Sequence, residues 1–263
     1  MTRRVPGGAF ALSLITLFVL LAIVAPLVAP YAPDAVDLAS RRAGPSLAHW
    51  FGTDALGRDV LSRVVYGARV SLAVGVLSAA LAVSLGATIG ALGGYLGNVI
   101  DPILMRFTDA MLSVPRLPLL MVLGAILQPS IATLVVMVGL VGWMETARVT
   151  RAEVLSIRSR PYVEASRASG AATVRQLLWH VLPNALPALA VAATLAVGRG
   201  ILLESTLSFF GVGVQPPAAS WGNMLYQAQS TMTTEPWLAL FPGLMIFATV
   251  AAINSLGERL ADG

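Results

Sequence analysis

Little in this sequence can do covalent or proton-transfer chemistry. All 17 of its Lys and Arg positions are arginine, and it has two histidines and no cysteine. A P-loop needs a lysine to reach the β- and γ-phosphates of a nucleotide, so the chain cannot hold one in that way. Without lysine it forms no Schiff base. Without cysteine it has no thiol nucleophile, thiolate metal site or disulfide. It contains no H-E-x-x-H and no G-x-S-x-G, and a zinc site built from one histidine would be unusual. What remains are charges in apolar surroundings: Asp109 and Arg116 in one run, Arg199 and Glu204 in another. Ion-coupled carriers use such groups near mid-membrane, where each charge costs about 3 kcal/mol on insertion scales and needs a partner or water. Arg199 and Glu204 are five positions apart, a poor spacing for a pair within one helix. Each of the four either pairs with a neighbouring helix or partner subunit, or serves a pathway directly. No proton-relay string is visible. Uphill movement of a solute would have to draw on an ion gradient or on another protein.

The elements that hold these charges are built for lipid. The chain is 57% hydrophobic and 11% charged, whereas soluble domains are about 25% charged. Its 263 residues leave room for roughly six spans of about 20 residues. Mainly apolar runs place them near 10–29, 70–93, 103–127, 131–149, 185–205 and 237–256. The first run is long enough to cross and longer than the apolar region of a usual signal peptide, so it reads as a retained span. The third is irregular, carrying Arg106, Asp109 and Arg116 and broken by Pro115 and Pro118. The second is rich in small residues, and its Gly86 and Gly90 form a G-x-x-x-G suited to close helix contact.

Arginine placement orients the spans. Arg3, Arg4, Arg148, Arg151, Arg158, Arg160, Arg167, Arg175 and Arg259 share one side, which the positive-inside rule makes cytoplasmic, with both termini. One region resists: 30–69 would lie outside, yet it holds Arg41, Arg42, Arg58, Arg63 and Arg69. Within it, Leu56, Val60, Leu61, Val64 and Val65 have helical spacing, which predicts an amphipathic helix lying on the membrane surface. The chain therefore divides into 1–69, a span plus an external amphipathic segment, and 70–263, a five-span unit with a basic cytoplasmic loop at about 150–184.

That loop has its own pattern. Pro161 suits a first helical turn, Tyr162–Ser169 can be helical, and Gly170 can end the helix in a left-handed conformation. Thr173 and Gln176 fit a capping box for a second helix, running to about Val181, and Leu182 before Pro183 should leave the helix. Its Val174, Leu177, Leu178 and Val181 should pack on the bundle, while the first piece shows small residues to another surface. The segment is either a connector with its arginines facing anionic lipid or a docking knob for a cytoplasmic partner.

The residues Glu164, Ala165, Ser166, Gly170, Leu182 and Pro183 resemble the EAA loop of permease subunits of bacterial ABC importers, with Ser166 where that family commonly has alanine. FGTDALGRDVLSRVVYGARVSL at 51–72, RAEVLSIRSRPYVEASRASGA at 151–171, HVLPN at 180–184 and LSFFGVGVQPPAASWGNML at 207–225 are similar to the dipeptide/oligopeptide/nickel permeases, in particular to their second, C-type subunit. Arg116 departs from a usually apolar position, and the ending NSLGERLADG is short and carries Glu258. The resemblance implies an all-α, six-span type I importer permease that is not itself an enzyme and has no cofactor of its own. ATP and Mg would be bound by two cytoplasmic ATPase subunits, one of which would take Glu164–Gly170 in a groove. A second homologous permease subunit, an extracytoplasmic binding protein and membrane lipid complete its expected surroundings, and nucleic acid has no part in them. The cargo would be di- or oligopeptide, with nickel or another small solute as the alternative and an ion-coupled carrier as a distant one. Gly211 and Gly213 would lie near an external gate or the binding-protein dock.

Overall fold

The computed structural model describes residues 7–128 and 130–262. Its helices are α1 (Gly7–Ile23), α2 (Ala25–Val28), α3 (Val60–Leu96), α4 (Ile100–Leu112), α5 (Arg116–Ile126), α6 (Ile131–Arg158), α7 (Pro161–Ala168), α8 (Thr173–Gln176), α9 (Leu182–Phe209), α10 (Trp221–Ala228) and α11 (Trp237–Asp262). A π turn at Leu177–Val181 joins α8 to α9 without a break. Among the described residues four helices are long and apolar enough to cross a membrane, or five if the bent pair α4–α5 is one span. The first expected span is represented by α1, which is shorter at 17 residues, followed after Val24 by α2. Arg3 and Arg4, used above to orient the chain, lie outside the described residues.

Small side chains set the central packing. α3 and α6 run parallel in close contact. A Cβ at Gly86 would stand 2.5 Å from the Trp143 carbonyl oxygen, one at Gly94 2.9 Å from that of Arg151, and one at Gly90 would overlap that of Ala147. The predicted G-x-x-x-G is thus a backbone-to-backbone crossing, extended by one more glycine. α9 lies antiparallel to α3, with Gly75 against Ile201 and Gly200 against Ser78. α11 packs antiparallel on α9, and α1 on α11. Around this centre the outward residues are large and apolar, including Phe10, Leu27, Val76, Val136, Leu140, Leu244 and Phe247, as a bundle surrounded by lipid requires.

The third run breaks at Pro115 as expected, while Pro118 falls in the first turn of α5 and interrupts nothing. α4 and α5 meet at 78°, with Ser113, Val114 and Pro115 between them. The stretch read as a surface helix at 56–69 is instead the opening of α3, with Val60, Arg63, Val64 and Ala68 buried. Met224 and Ala228 of α10 and Leu238 of α11 cover it. An apolar stripe has the same period whether it faces lipid or a distant part of the chain.

Residues 30–59 form a cap over this end of α3. Asp59 caps the helix by accepting from Ser62 N and Oγ, both at 2.8 Å. Asp54 accepts from Arg58 Nε at 2.7 Å and lies 3.7 Å from Arg63 Nε. Arg58 also donates to Gln227 Oε1 at 2.8 Å, and Arg63 to the Pro33 carbonyl at 3.1 Å. Arg42 sits 3.5 Å from Glu235, and Phe51 stacks on Phe241. Three of the arginines that resisted the orientation rule are therefore tied into the fold by acidic partners and are not free loop charges.

Candidate functional site

At the opposite end α6 continues past its apolar stretch to Arg158, whose Nη1 donates to the Gly94 carbonyl at 2.8 Å. The chain turns at Arg160 and enters α7 with Pro161 in its first turn. Val163 is 0% exposed and packs with Ala91, Tyr95, Val154, Ile157 and Val181. This one side chain pins α7 to the bundle. Its other residues, Glu164, Ala165, Arg167 and Ala168 among them, face outward, with Ser166 half-buried. Gly170 has φ +79, as expected. Its N–H bonds to the Arg167 carbonyl at 3.0 Å, and the Ala171 N–H reaches the Ser166 carbonyl at 3.2 Å. That is a Schellman ending, for which glycine is the residue without steric penalty.

The second piece departs from expectation in three ways. Ala172, not Thr173, precedes the helix, and no side chain caps it. Gln176 is diverted from the predicted capping box: its Nε2 donates to the Ala171 carbonyl at 2.6 Å and its Oε1 accepts from the Tyr95 hydroxyl. Nor does the helix stop at Leu182–Pro183. In an α-helix the Pro183 ring would clash with the carbonyl four residues back. Here the turn widens, and the Leu182 N–H bonds to the Leu177 carbonyl, five residues back. Val181 and Leu177 pack inward as expected, while Val174 and Leu178 are exposed. The result is an outward knob with a cleft of about 560 Å³ beside it, bordered by Tyr95, Arg158, Glu164, Arg167 and Gln176. Through α6 and α9 the knob is continuous with two spanning helices.

The four charges singled out from the sequence are all partnered, but not with one another. Asp109 Oδ1 meets Arg148 Nη2 at 2.5 Å, and Arg116 Nη2 meets Glu145 Oε1 at 2.7 Å. Arg199 pairs with the other oxygen of Glu145. One level beyond Asp109, Asp101 takes two bonds from Arg151, at 2.5 and 2.6 Å. Positions 145, 148 and 151 recur every third residue on one face of α6, so the bent third span is laced to α6 by three rungs. Glu204 is 0% exposed and accepts from Ser71 Oγ at 2.9 Å and Ser208 Oγ at 2.8 Å. Ser71 Oγ in turn accepts the Trp221 N–H at 3.2 Å, and Ser208 Oγ the Val214 N–H at 3.0 Å. Glu204 thus joins α3, α9, the 210–220 loop and α10. Gly211 has φ +79, and Gly213 packs against Ser208 too closely for a Cβ.

Glu145, Asp101 and Ser71 went unnoticed in the sequence. A carboxylate spaced three and six before arginines was the available sign for Glu145. Among the described residues no group of three or more His, Cys, Asp and Glu could hold a metal ion. His49 Nδ1 instead meets Asp59 at 2.9 Å.

Comparison with known proteins agrees with this geometry. Residues 82–262 match the family described as binding-protein-dependent transport system inner membrane component. Residues 3–45 match the N-terminal TM domain of oligopeptide transport permease C. The dipeptide transport system permease protein DppC of Alkalihalophilus pseudofirmus is 39% identical over 95% of this chain and 83% of its own. The glutathione transport system permease protein GsiD of Shigella flexneri serotype 5b is 40% identical over 99% and 86%. Among solved structures, an inward-facing MetNI methionine ABC transporter superposes with a TM-score of 0.65 at 21% identity, covering 77% of this chain and 96% of the matched one.

Proposed function

The chain belongs to the binding-protein-dependent transport system inner membrane components, and from that premise we propose that it carries di- or oligopeptides inward, driven by ATPases of which one docks on its knob. Membership makes it a multi-pass inner-membrane permease subunit of an ABC importer, working with a separate ATPase and a substrate-binding protein. The peptide cargo follows from relatives named for dipeptide and glutathione transport rather than for nickel or another metal ion.

In this reading the knob, the described C-terminal end of α11 and the start of α1 face the cytoplasm, and the 30–59 cap faces outward. Two ATPase subunits bind ATP and Mg, and a second homologous permease subunit supplies the other wall of the pathway. Glu164, Ala165, Ser166 and Gly170 form the surface that enters a groove of the ATPase, while Leu182 and Pro183 fix where α9 departs. Gly211 and Gly213 shape the turn nearest the outer gate. Asp109 serves as a strut to α6, and Glu204 as a strut to α3.

The observation that carries this reading is the outward knob itself. Its corner is set by Gly170, and it is pinned to the bundle by Val163 alone. A Cβ placed on residue 170 would meet nothing within 4 Å, so a side chain there acts through backbone strain and not through collision. The assembled complex, purified in detergent, tests it. The wild type should retain a cytoplasmic ATPase that the Glu164→Ala/Gly170→Val double variant loses, with both forms inserted equally in the membrane. Equal retention by the two would remove the docking role.

A further inference from the structure

We infer that the Arg116–Glu145–Arg199 cluster lines a water-filled route half-way through the bundle and binds the carboxylate of the passing solute. The inference rests on the permease reading above and names the chemistry its pathway selects. Glu145 stands at the middle of α6 (Ile131–Arg158), and Arg199 lies next to the Gly200–Ser78 crossing at the middle of α3 (Val60–Leu96). This is the depth at which a charge against hydrocarbon costs most. Yet the three side chains are open: Arg116 is 28% exposed, Glu145 39% and Arg199 45%. A lipid-facing position does not fit that exposure, so this face meets water or protein.

The rungs on the same face of α6 favour water. Asp109–Arg148 is half exposed, and Asp101–Arg151 follows toward the knob, making a charged stripe from mid-bundle to that end. Elsewhere at this depth the outward residues are apolar, such as Val76, Leu140 and Leu202. The two rungs toward the knob are matched one cation to one anion. The cluster is not: two guanidinium groups share one carboxylate, leaving one positive charge over. Ser78, Gly142, Ala196 and Gly200 border it, with Val138, Thr146 and Leu203 also in the lining. A planar guanidinium suits a carboxylate geometrically, through paired N–H···O bonds. A cation arriving here would meet like charge.

The test uses the assembled complex in lipid nanodiscs. The chain has no cysteine, so Ala196→Cys places the only thiol on this subunit beside the cluster. Modification by a thiosulfonate carrying a sulfonate is compared with one carrying a trimethylammonium, read by the mass of this subunit. With each rate divided by that reagent's rate on a free thiol in solution, the anionic reagent should react about tenfold faster, a ratio consistent with one unit charge at short range in a partly screened site. Alanyl-alanine at high concentration should slow it, while its C-terminal amide should not. Adding Arg199→Gln should erase both differences. Reaction with neither reagent means that lipid or a partner subunit covers the face, and overturns the inference. Equal rates, or faster reaction with the cation, also overturn it, as does equal protection by acid and amide. Co-purification of the ATPase is scored on the same sample. If it is retained while the labelling fails, only the carboxylate site falls. If it is absent, the reading beneath falls first.

Discussion

Removing the Ser71 hydroxyl should damage this protein more than replacing the carboxyl group it serves by an amide. Ser71 Oγ donates to Glu204 at 2.9 Å and accepts the Trp221 N–H at 3.2 Å, with all three residues buried. A hydrogen bond contributes about 0.5–1.5 kcal/mol net, and an orphaned buried N–H costs about 1–3 kcal/mol. Ser71→Ala loses the first and leaves the second, so a destabilisation of about 3 kcal/mol is expected. Glu204→Gln keeps one acceptor oxygen and offers an amide N–H to the second hydroxyl, so about 1 kcal/mol is expected. For a chain of this size a loss of 3 kcal/mol lowers the melting temperature by roughly 6–12 °C. Because the residues touch, the double variant should lose less than the two single losses combined. Thermal unfolding of the purified complex, followed by the elution of intact protein after heating, measures all three. Were Ser71→Ala to melt within 2 °C of wild type, or Glu204→Gln to melt lower than Ser71→Ala, the network would not be holding this end of the bundle as described.

Gly86→Ala places a Cβ 2.5 Å from the Trp143 carbonyl and should cost about 1–3 kcal/mol by forcing α3 from α6. Gly243→Ala in α11, where nothing lies within 4 Å, should be neutral or slightly stabilising in the same melting assay. A Gly86→Ala variant as stable as Gly243→Ala would contradict the close crossing. Asp54→Asn takes from the buried Arg58 its paired carboxylate and from Arg63 the nearer of two, and should cost about 3–5 kcal/mol. Protease cleavage within residues 30–59 should then appear at concentrations that leave the wild type intact. No increase would mean that the cap is held mainly by its other contacts.

Local rules carried the sequence reading wherever a single residue decided the backbone. Gly170 ended its helix, Pro115 broke the third run, and Gly86 with Gly90 marked the tightest crossing. Each of these follows from one side chain's sterics, which a sequence states outright. The losses came where a distant partner changed the outcome. Gln176 had a sound capping position, but Tyr95, far away in the chain, claims its side chain. Pro183 should have stopped a helix that a widened turn preserves. Glu145 was passed over because its partners, Arg116 and Arg199, sit in two other helices. Arg42, Arg58 and Arg63 look like a violation of orientation until Asp54 and Glu235 are placed beside them.

α3 is one unbroken rod of 37 residues, about 55 Å long where the hydrocarbon of a bilayer is about 30 Å thick. Its first turns are held by the cap through Asp59 and Arg63, and its last by Arg158 and by the contact of Tyr95 with Gln176. Nothing along it provides a joint. A tilt of about 10° around its middle would move each end by about 5 Å in opposite senses, given a rise of 1.5 Å per residue. Such a rod behaves as a rocker arm whose two ends stand in different aqueous compartments. A load applied at the cap is felt at the knob without any signal passing from residue to residue, and a displacement of the knob must reappear, reversed, at the cap.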